Sequence, residues 1–372
     1  MKLRPLLFQI HLYVALAAGL YIAILGVTGA IMTFQDDITR FANADLVYVT
    51  PGGPRETLAQ MSAAVAKVYP GQAIGWIWMG YEPDVSTRMT VGGSDVYVNP
   101  YTGQVLGRNG PVAQTLASVL RAIDFLHTLG GQFMAWITVA ALFLLASGIY
   151  LWWPRKRFCI RKTGGRSFWY DLHATLGIAS VAFAFLLCFT GTMMGFQSAR
   201  AAFIHAVTGT NPQPDKISPL SHPAPGAQPI SRDRALEIAA RALPGTIPIV
   251  INGQVEQGYT IRLHTPGNPN PNGDSFVGVD AYNGAVLGVR NYSAASAPTR
   301  LEIEMGLIHT GLIFGLASKA VMALASLFLA VMLTSGVTMW AKRVPPRNLI
   351  PGLAAAGIVT AIAIVTAFAP IL

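Results

Sequence analysis

Cysteine, acidic residues and charge of either sign are scarce in this 372-residue chain, and each scarcity excludes a class of protein. Two cysteines, Cys159 and Cys188, cannot make a CxxC redox pair, a cysteine-ligated iron–sulfur site or a disulfide framework. No GxGxxG fingerprint occurs, and the chain has no room for a soluble flavin domain. Charged residues are 12% of the total, about half the share usual in soluble domains, which excludes a soluble globular enzyme and a charge-rich disordered chain. Hydrophobic residues are 52%, gathered into runs longer than the ~20 residues that cross ~30 Å of hydrocarbon. The chain reads as a polytopic membrane protein.

Five apolar stretches, roughly 8–34, 118–153, 168–198, 303–341 and 351–371, read as membrane helices. They divide the chain into a first span (1–34), a polar segment (35–117), a second span (118–153), a basic loop (154–167), a third span (168–198), a second polar segment (199–302), a fourth span (303–341) and a C-terminal fifth (351–371). Acidic residues are missing from Met1–Pro5, Pro154–Ser167 and Ala341–Pro351, which hold Lys2, Arg4, Arg155, Lys156, Arg157, Arg161, Lys162, Arg166, Lys342, Arg343 and Arg347. Those are 11 of the 26 basic residues, and the rest nearly balance the 17 acids. The net charge of +9 is therefore a topology signal and not a nucleic-acid footprint. It predicts a cytoplasmic N-terminus, cytoplasmic basic loops, and both long polar segments outside. The first run is too long for a secretory leader and lacks a clear small-residue cleavage site, so it reads as an anchor.

The chain repeats itself. From His11, Thr28-Gly29 begins after 17 residues and Phe34-Gln35 after 23; from His173, Thr190-Gly191 and Phe196-Gln197 follow at the same intervals. The second and fourth spans each open with His-Thr (127–128 and 309–310) and later carry Ser-Gly, then Trp four residues after the Ser-Gly glycine (147–152 and 335–340). The later copy is six residues longer between these landmarks, which predicts an extension or interruption around Gly311–Ser318. The outside segments repeat as well: VYVNPYTGQVLG (96–107) and VGVDAYNGAVLG (277–288) agree at seven of twelve positions and read as β-hairpins. Amphipathic helices are expected before each, over Arg55–Val68 and Ser231–Leu243, the second capped by Ser231. Residues 211–229, with six prolines, form the linker into the second segment, and 264–274 is a flexible tip. The expected fold is an α-helical integral membrane protein of four core spans plus a fifth, with two small α+β modules, built by tandem duplication about a pseudo-twofold axis along the membrane normal.

Four of the seven histidines fall in the spans: His11, His127, His173 and His309. Ionisable groups in lipid are costly and face a functional interior. Helix direction puts His11 and His173 at the cytoplasmic level and His127 and His309 at the outer level, so the repeat pairs each with its copy. Two opposed imidazoles at one level clamp a flat macrocycle such as haem; zinc wants three or four ligands. Two b-type haems fit the pattern, and the lack of CxxCH excludes covalent attachment. A proton relay through the histidines is the alternative. Gly29 and Gly191 fall at the outer level and Gly148 and Gly336 at the inner one, where a missing Cβ lets backbone approach a ring; helix packing explains the same glycines. Arg121 and Arg300 outside, and Arg4 and Arg166 inside, are candidates for haem propionates or interfacial anchors. Asp124 and Asp171 are candidate partners of His127 and His173, with Asp124 better placed on its helix. Trp152, Trp153, Trp169 and Trp340 read as an interfacial belt, and His205, His222 and His264 as surface groups.

These residues together resemble the PepSY-associated transmembrane proteins, and within them the FoxB/PiuB-type inner-membrane ferrisiderophore reductases, over about residues 6–345. The resemblance implies a bacterial inner-membrane protein with two PepSY-like periplasmic modules and four haem histidines at His11, His127, His173 and His309. It implies electron transfer across the membrane to a ferric siderophore, which releases iron as Fe(II). The donor is then a separate molecule, a quinol or a cytosolic reductase. Trp76, Trp78, Tyr81 and loop 264–274 are candidates to line the outer cleft. The rival readings are a siderophore or haem permease, which wants a polar midplane cavity, and a PepSY-type regulatory or binding protein.

Overall fold

A computed structural model describes residues 3–128, 131–156, 158–161, 164–211, 226–252, 258–268 and 272–343, together with 221, 223, 270 and 357. The expected fifth span, the charges of Lys2, Arg157, Lys162 and Arg347, His222, and most of the 211–229 linker lie outside the described residues. The chain divides into two compact units, one comprising Met1–Gln35, Leu120–Gly209 and Glu304–Leu372, the other Asp36–Val119 and Thr210–Ile303.

The first unit is helical. Four of its helices are long and apolar enough to cross a membrane: Leu3–Thr33, Phe133–Trp152, Gly165–Gly195 and Leu316–Ala341. In hydrocarbon a span must satisfy its own backbone, and only a helix does so within one segment. Helix α1 (Leu3–Thr33) runs unbroken because its one proline, Pro5, sits in the first turn, where no intrahelical N–H is required. Helix α7 (Gly165–Gly195) is equally long. Each packs against both α6 (Gly131–Trp152) and α11 (Leu316–Ala341), so α1 and α7 occupy opposite corners of a four-helix ring. Small residues set the approach: a Cβ on Gly26 would strike the Ser326 carbonyl of α11. Tyr21 is buried at 1% exposure, donates to Met134 Sδ at 3.2 Å and lies edge-on to Phe133. Leu20, Val27, Phe183, Phe185 and Leu324 face outward, as lipid-facing positions do.

The stretch 118–153 holds α5 (Pro111–Thr128) and α6; residues 129–130 between them lie outside the described residues, and among the described residues Phe133–Trp152 is the membrane-length part. Arg121 and Asp124 make α5 the more polar part. The stretch 303–341 is split between α10 (Ala297–Thr310) and α11. Gly311 and Gly315 between them take φ of +74° and +62°, left-handed values that end a helix, and Ser318 Oγ fastens the turn to the Gly311 carbonyl at 2.6 Å. This is where the six surplus residues go. A short helix α8 (Gln197–Thr208) follows α7.

The second unit is α+β. After α2 (Gln35–Ala42), α3 (Ala44–Val47) and α4 (Leu58–Val68) come β1 (Ile74–Trp78), β2 (Thr87–Val91), β3 (Ser94–Val98) and β4 (Val105–Arg108); after α9 (Arg232–Ala242) come β5 (Ile247–Asn252), β6 (Tyr259–His264), β7 (Ser275–Val279) and β8 (Val286–Arg290). The two polar segments contribute four consecutive strands each. Their strands make one eight-stranded sheet, β4-β3-β2-β1-β5-β6-β7-β8, joined by antiparallel pairing of Ile77 with Ile251 and Trp78 with Val250. Helices α4 and α9 cover one face, burying Val65, Ala235 and Ala239 over Val96, Val98, Ile261, Leu263 and Val277. The Ser231 cap forms, its hydroxyl accepting from Arg234 N at 3.1 Å, and Asp233 reaches across to accept from Leu58 N (2.7 Å) and Ala59 N (2.9 Å) at the start of α4. The two matched hairpins share one pattern of turn bonds: Asn99 N to Gln104 O and Gly103 N to Asn99 O in the first, Asp280 N to Ala285 O and Gly284 N to Asp280 O in the second. Each also shifts register at the same position, after Tyr97 and after Gly278.

Candidate functional site: four hydroxyl-seated histidines

Each of the four histidines rests against a hydroxyl and a glycine on a neighbouring helix; His11 and His173 lie in membrane-length helices, whereas His127 and His309 lie in α5 and α10, outside them. At one level, His11 Nδ1 lies 2.7 Å from Ser147 Oγ on α6, and a Cβ on Gly148 would sit 3.7 Å from His11 Cε1. His173 Nδ1 lies 2.9 Å from Ser335 Oγ on α11, with the Gly336 Cβ position 3.5 Å from its Cε1. The two rings come from opposite corners of the helical ring and line one cavity of about 130 Å³. Its other walls are mostly apolar, including Ile22, Leu145, Ala184, Leu329 and Leu333, with Gly19 and Gly177 giving room.

At the other level, His127 in the last turn of α5 has Nε2 2.7 Å from Thr28 Oγ1 on α1. His309 in the last turn of α10 has Nδ1 3.0 Å from Thr190 Oγ1 on α7. The Cβ positions of Gly29 and Gly191 lie 3.7 and 3.2 Å from Cε1 of His127 and His309. Within each level the two histidines are close enough to interact electrostatically. Because α1 and α7 are unbroken, the 17 residues from His11 to Thr28, and from His173 to Thr190, correspond to ~26 Å of helix between levels.

The four glycines thus make room first for the imidazole edges themselves. The four hydroxyls were legible in the Thr-Gly and Ser-Gly landmarks, yet sequence reasoning took those pairs as markers of repetition and missed them as hydrogen-bond partners. Trp152 is a cavity wall, packed edge-on against Phe158 at 5.1 Å, and not only an interfacial anchor. Trp153, by contrast, is well exposed at 59%, and Trp169 and Trp340 are half-buried. Asp171, buried at 1% exposure, accepts from the backbone N, Nε and Nη2 of Arg161, so its carboxylate ties the loop to α7. Asp124 lies within electrostatic reach of His127. Arg4 donates to the Leu151 carbonyl at 3.0 Å, at the end of α6. Arg121 is exposed on α5. Arg300 donates to the Ser293 carbonyl at 3.2 Å and lies over Tyr292, so it serves its own loop in the sheet unit. Among the described residues no group of three or more His, Cys, Asp and Glu gathers to hold a metal ion.

In the sheet unit, Trp76 and Trp78 stack at 5.6 Å, with Arg88 over Trp78 at 4.2 Å. His264 is not a surface group: it is 6% exposed and stacks face to face on Tyr81, 4.1 Å apart and 6° from parallel. Burial pushes the Tyr81 phenol above its ordinary pKa, and Glu82 adds to the effect. Burial likewise lowers the Arg262 guanidinium. His205 is exposed on α8.

A search of curated proteins finds no match to the chain. The family model described as the PepSY-associated TM region matches residues 8–343. With four membrane-length helices and most of its length inside that match, the chain is a multi-pass membrane protein of the PepSY-associated transmembrane family.

Proposed function

We propose that this protein is a di-haem electron-transfer protein of the bacterial inner membrane that reduces ferric siderophores on the periplasmic side and releases their iron as Fe(II). The observation that carries the reading is the two-level set of seated histidines: His11 with His173 around one apolar cavity, and His127 with His309 seated on Thr28 and Thr190, ~26 Å farther along α1 and α7. Paired imidazoles, with no third His, Cys, Asp or Glu gathered beside them among the described residues, suit bis-histidine ligation of b-type haem better than a zinc site. Bound there, haem supplies a one-electron Fe(III)/Fe(II) couple at each level.

The chain's own residues do the rest. The four histidines hold the two levels, and the unbroken α1 and α7 keep them at fixed spacing. Apolar side chains around the inner pair exclude water, and Tyr21, Phe133 and Met134 fill the bundle partway toward the outer pair. The ferric chelate is substrate, and reduction is a release step because hard oxygen ligands hold Fe(III) far better than Fe(II). The electron donor is a separate molecule, a quinol or a cytosolic reductase. The positive-inside charges favour a cytoplasmic N-terminus with 35–117 and 199–302 periplasmic. The matched hairpin bonds and histidine seats support tandem duplication of a helix–PepSY-like module–helix unit. An apolar bundle interior disfavours a permease.

The test begins with anaerobically reduced protein, freed of excess reductant and mixed with a ferric hydroxamate chelate in the presence of ferrozine. The protein is expected to reoxidise as the Fe(II)–ferrozine colour appears, and His309→Ala to suppress both. A reduced protein that ignores the chelate would remove the substrate assignment and leave haem binding to stand separately.

A further inference from the structure

The hydroxyls that seat the histidines are themselves committed. Ser147 Oγ donates to the Phe143 carbonyl at 2.6 Å, Ser335 Oγ to Val331 at 2.7 Å, Thr28 Oγ1 to Ile24 at 2.8 Å and Thr190 Oγ1 to Leu186 at 2.7 Å. All four are the back-bond to residue i−4 that serine and threonine make inside membrane helices. A hydroxyl has one hydrogen and two acceptor lone pairs. With the hydrogen spent on the helix, the contact to imidazole is left to a lone pair, and the ring nitrogen facing it must carry the proton.

We infer that Ser147, Ser335 and Thr190 are positioning residues that fix the Nδ1–H tautomer of His11, His173 and His309 and so leave Nε2 as the open ligand nitrogen. Thr28 meets Nε2 of His127, so it fixes the opposite tautomer there and leaves Nδ1 open. The reverse tautomer at the inner level would aim an N–H of His11 and His173 away from the serine, toward a cavity lined almost wholly by apolar groups, where an unpaired donor is costly. The same bond from the ring to a fixed acceptor orients a histidine for metal and raises its basicity as a ligand. Three seats are thus alike and the fourth is inverted, which makes the outer pair chemically unequal.

The identity of the bound metal rests on the di-haem reading, whereas the tautomers do not, and the experiment separates the two. Protein purified without haem and labelled with ¹⁵N-histidine reports each ring's protonated nitrogen by two-bond ¹⁵N–¹H correlation, with single His→Gln variants for assignment. Nδ1–H at His11, His173 and His309 with Nε2–H at His127 is expected; Nε2–H at His11 and His173 would overturn the inference. In haem-loaded protein, Ser335→Ala is expected to shift the inner midpoint potential and the low-spin electron paramagnetic resonance signal. It also weakens haem retention roughly 10- to 100-fold. Ser335→Thr restores all three. An unchanged potential and signal in Ser335→Ala would overturn the positioning role even in a folded, loaded protein. If the protein takes up no haem, the di-haem reading falls and the tautomer measurement alone decides the inference.

Discussion

Replacing Gly191 by alanine is expected to unseat the outer histidine pair, whereas the same change at Gly29 is not. The two glycines occupy matching positions in α1 and α7, each directly after the threonine that bonds its histidine. Their surroundings differ. A Cβ on Gly191 would lie 3.2 Å from Cε1 of His309 and 3.1 Å from Cγ2 of Thr138. Both distances are inside the ~3.5–4.0 Å optimum for carbon pairs. Neither neighbour yields freely: His309 is held by Thr190 at 3.0 Å, and Thr138 by Thr192 at 2.8 Å and the Ala135 carbonyl at 2.8 Å. Overpacking of this kind costs about 1–3 kcal/mol. If the cost falls on the ring, it corresponds to a roughly 5- to 150-fold loss of affinity at the outer site. At Gly29 the new Cβ meets His127 Cε1 at 3.7 Å and Ser326 Oγ at 3.6 Å, ordinary contacts that displace nothing. The assay is haem content per chain with a redox titration that separates the two centres. Gly191→Ala should lose or weaken one centre and keep the other, with Gly29→Ala close to wild type. Equal behaviour of the two variants, either both intact or both depleted, would refute the reasoning.

Other outcomes follow from the packing. Gly26→Ala should lower the melting temperature in detergent, at a cost of about 1–3 kcal/mol, because its Cβ meets the Ser326 backbone carbonyl. Gly19→Ala meets only the mobile tip of Leu333 and should stay within about 1 kcal/mol of wild type. Asp233→Ala removes the carboxylate that caps α4 from another helix. It should cost about 1–2 kcal/mol in chemical denaturation and speed hydrogen exchange at Leu58 and Ala59 while sparing the α9 cap at Ser231. Arg161→Ala leaves the buried Asp171 carboxylate without its guanidinium, so the single variant should melt lower than the double variant Arg161→Ala/Asp171→Asn. A double variant no more stable than the single one would contradict that account.

The histidine levels are readable from sequence because an apolar helix leaves few places for a ring, and because His11 and His173 keep the same 17-residue interval to Thr-Gly. The break before α11 is also readable, as a surplus of six residues, since two copies of one motif must otherwise match. The fused sheet escapes local pattern altogether. Pairing of Ile77 with Ile251 joins strands far apart in the chain, and nothing in either strand names its partner. His264 was unreadable for a related reason: its burial depends on Tyr81, which arrives from the other half of the chain. The serines and threonines were visible but ambiguous, since a hydroxyl beside a glycine in a membrane helix serves helix packing equally well until its bonded histidine is known.

The most direct measurement is an optical spectrum of the purified protein, oxidised and then dithionite-reduced, with haem quantified per chain. The account predicts two six-coordinate b-type haems, one lost on replacing either His11 or His173 and the other on replacing either His127 or His309. A protein that stays colourless when produced with ample haem, or a single haem indifferent to all four replacements, would contradict it.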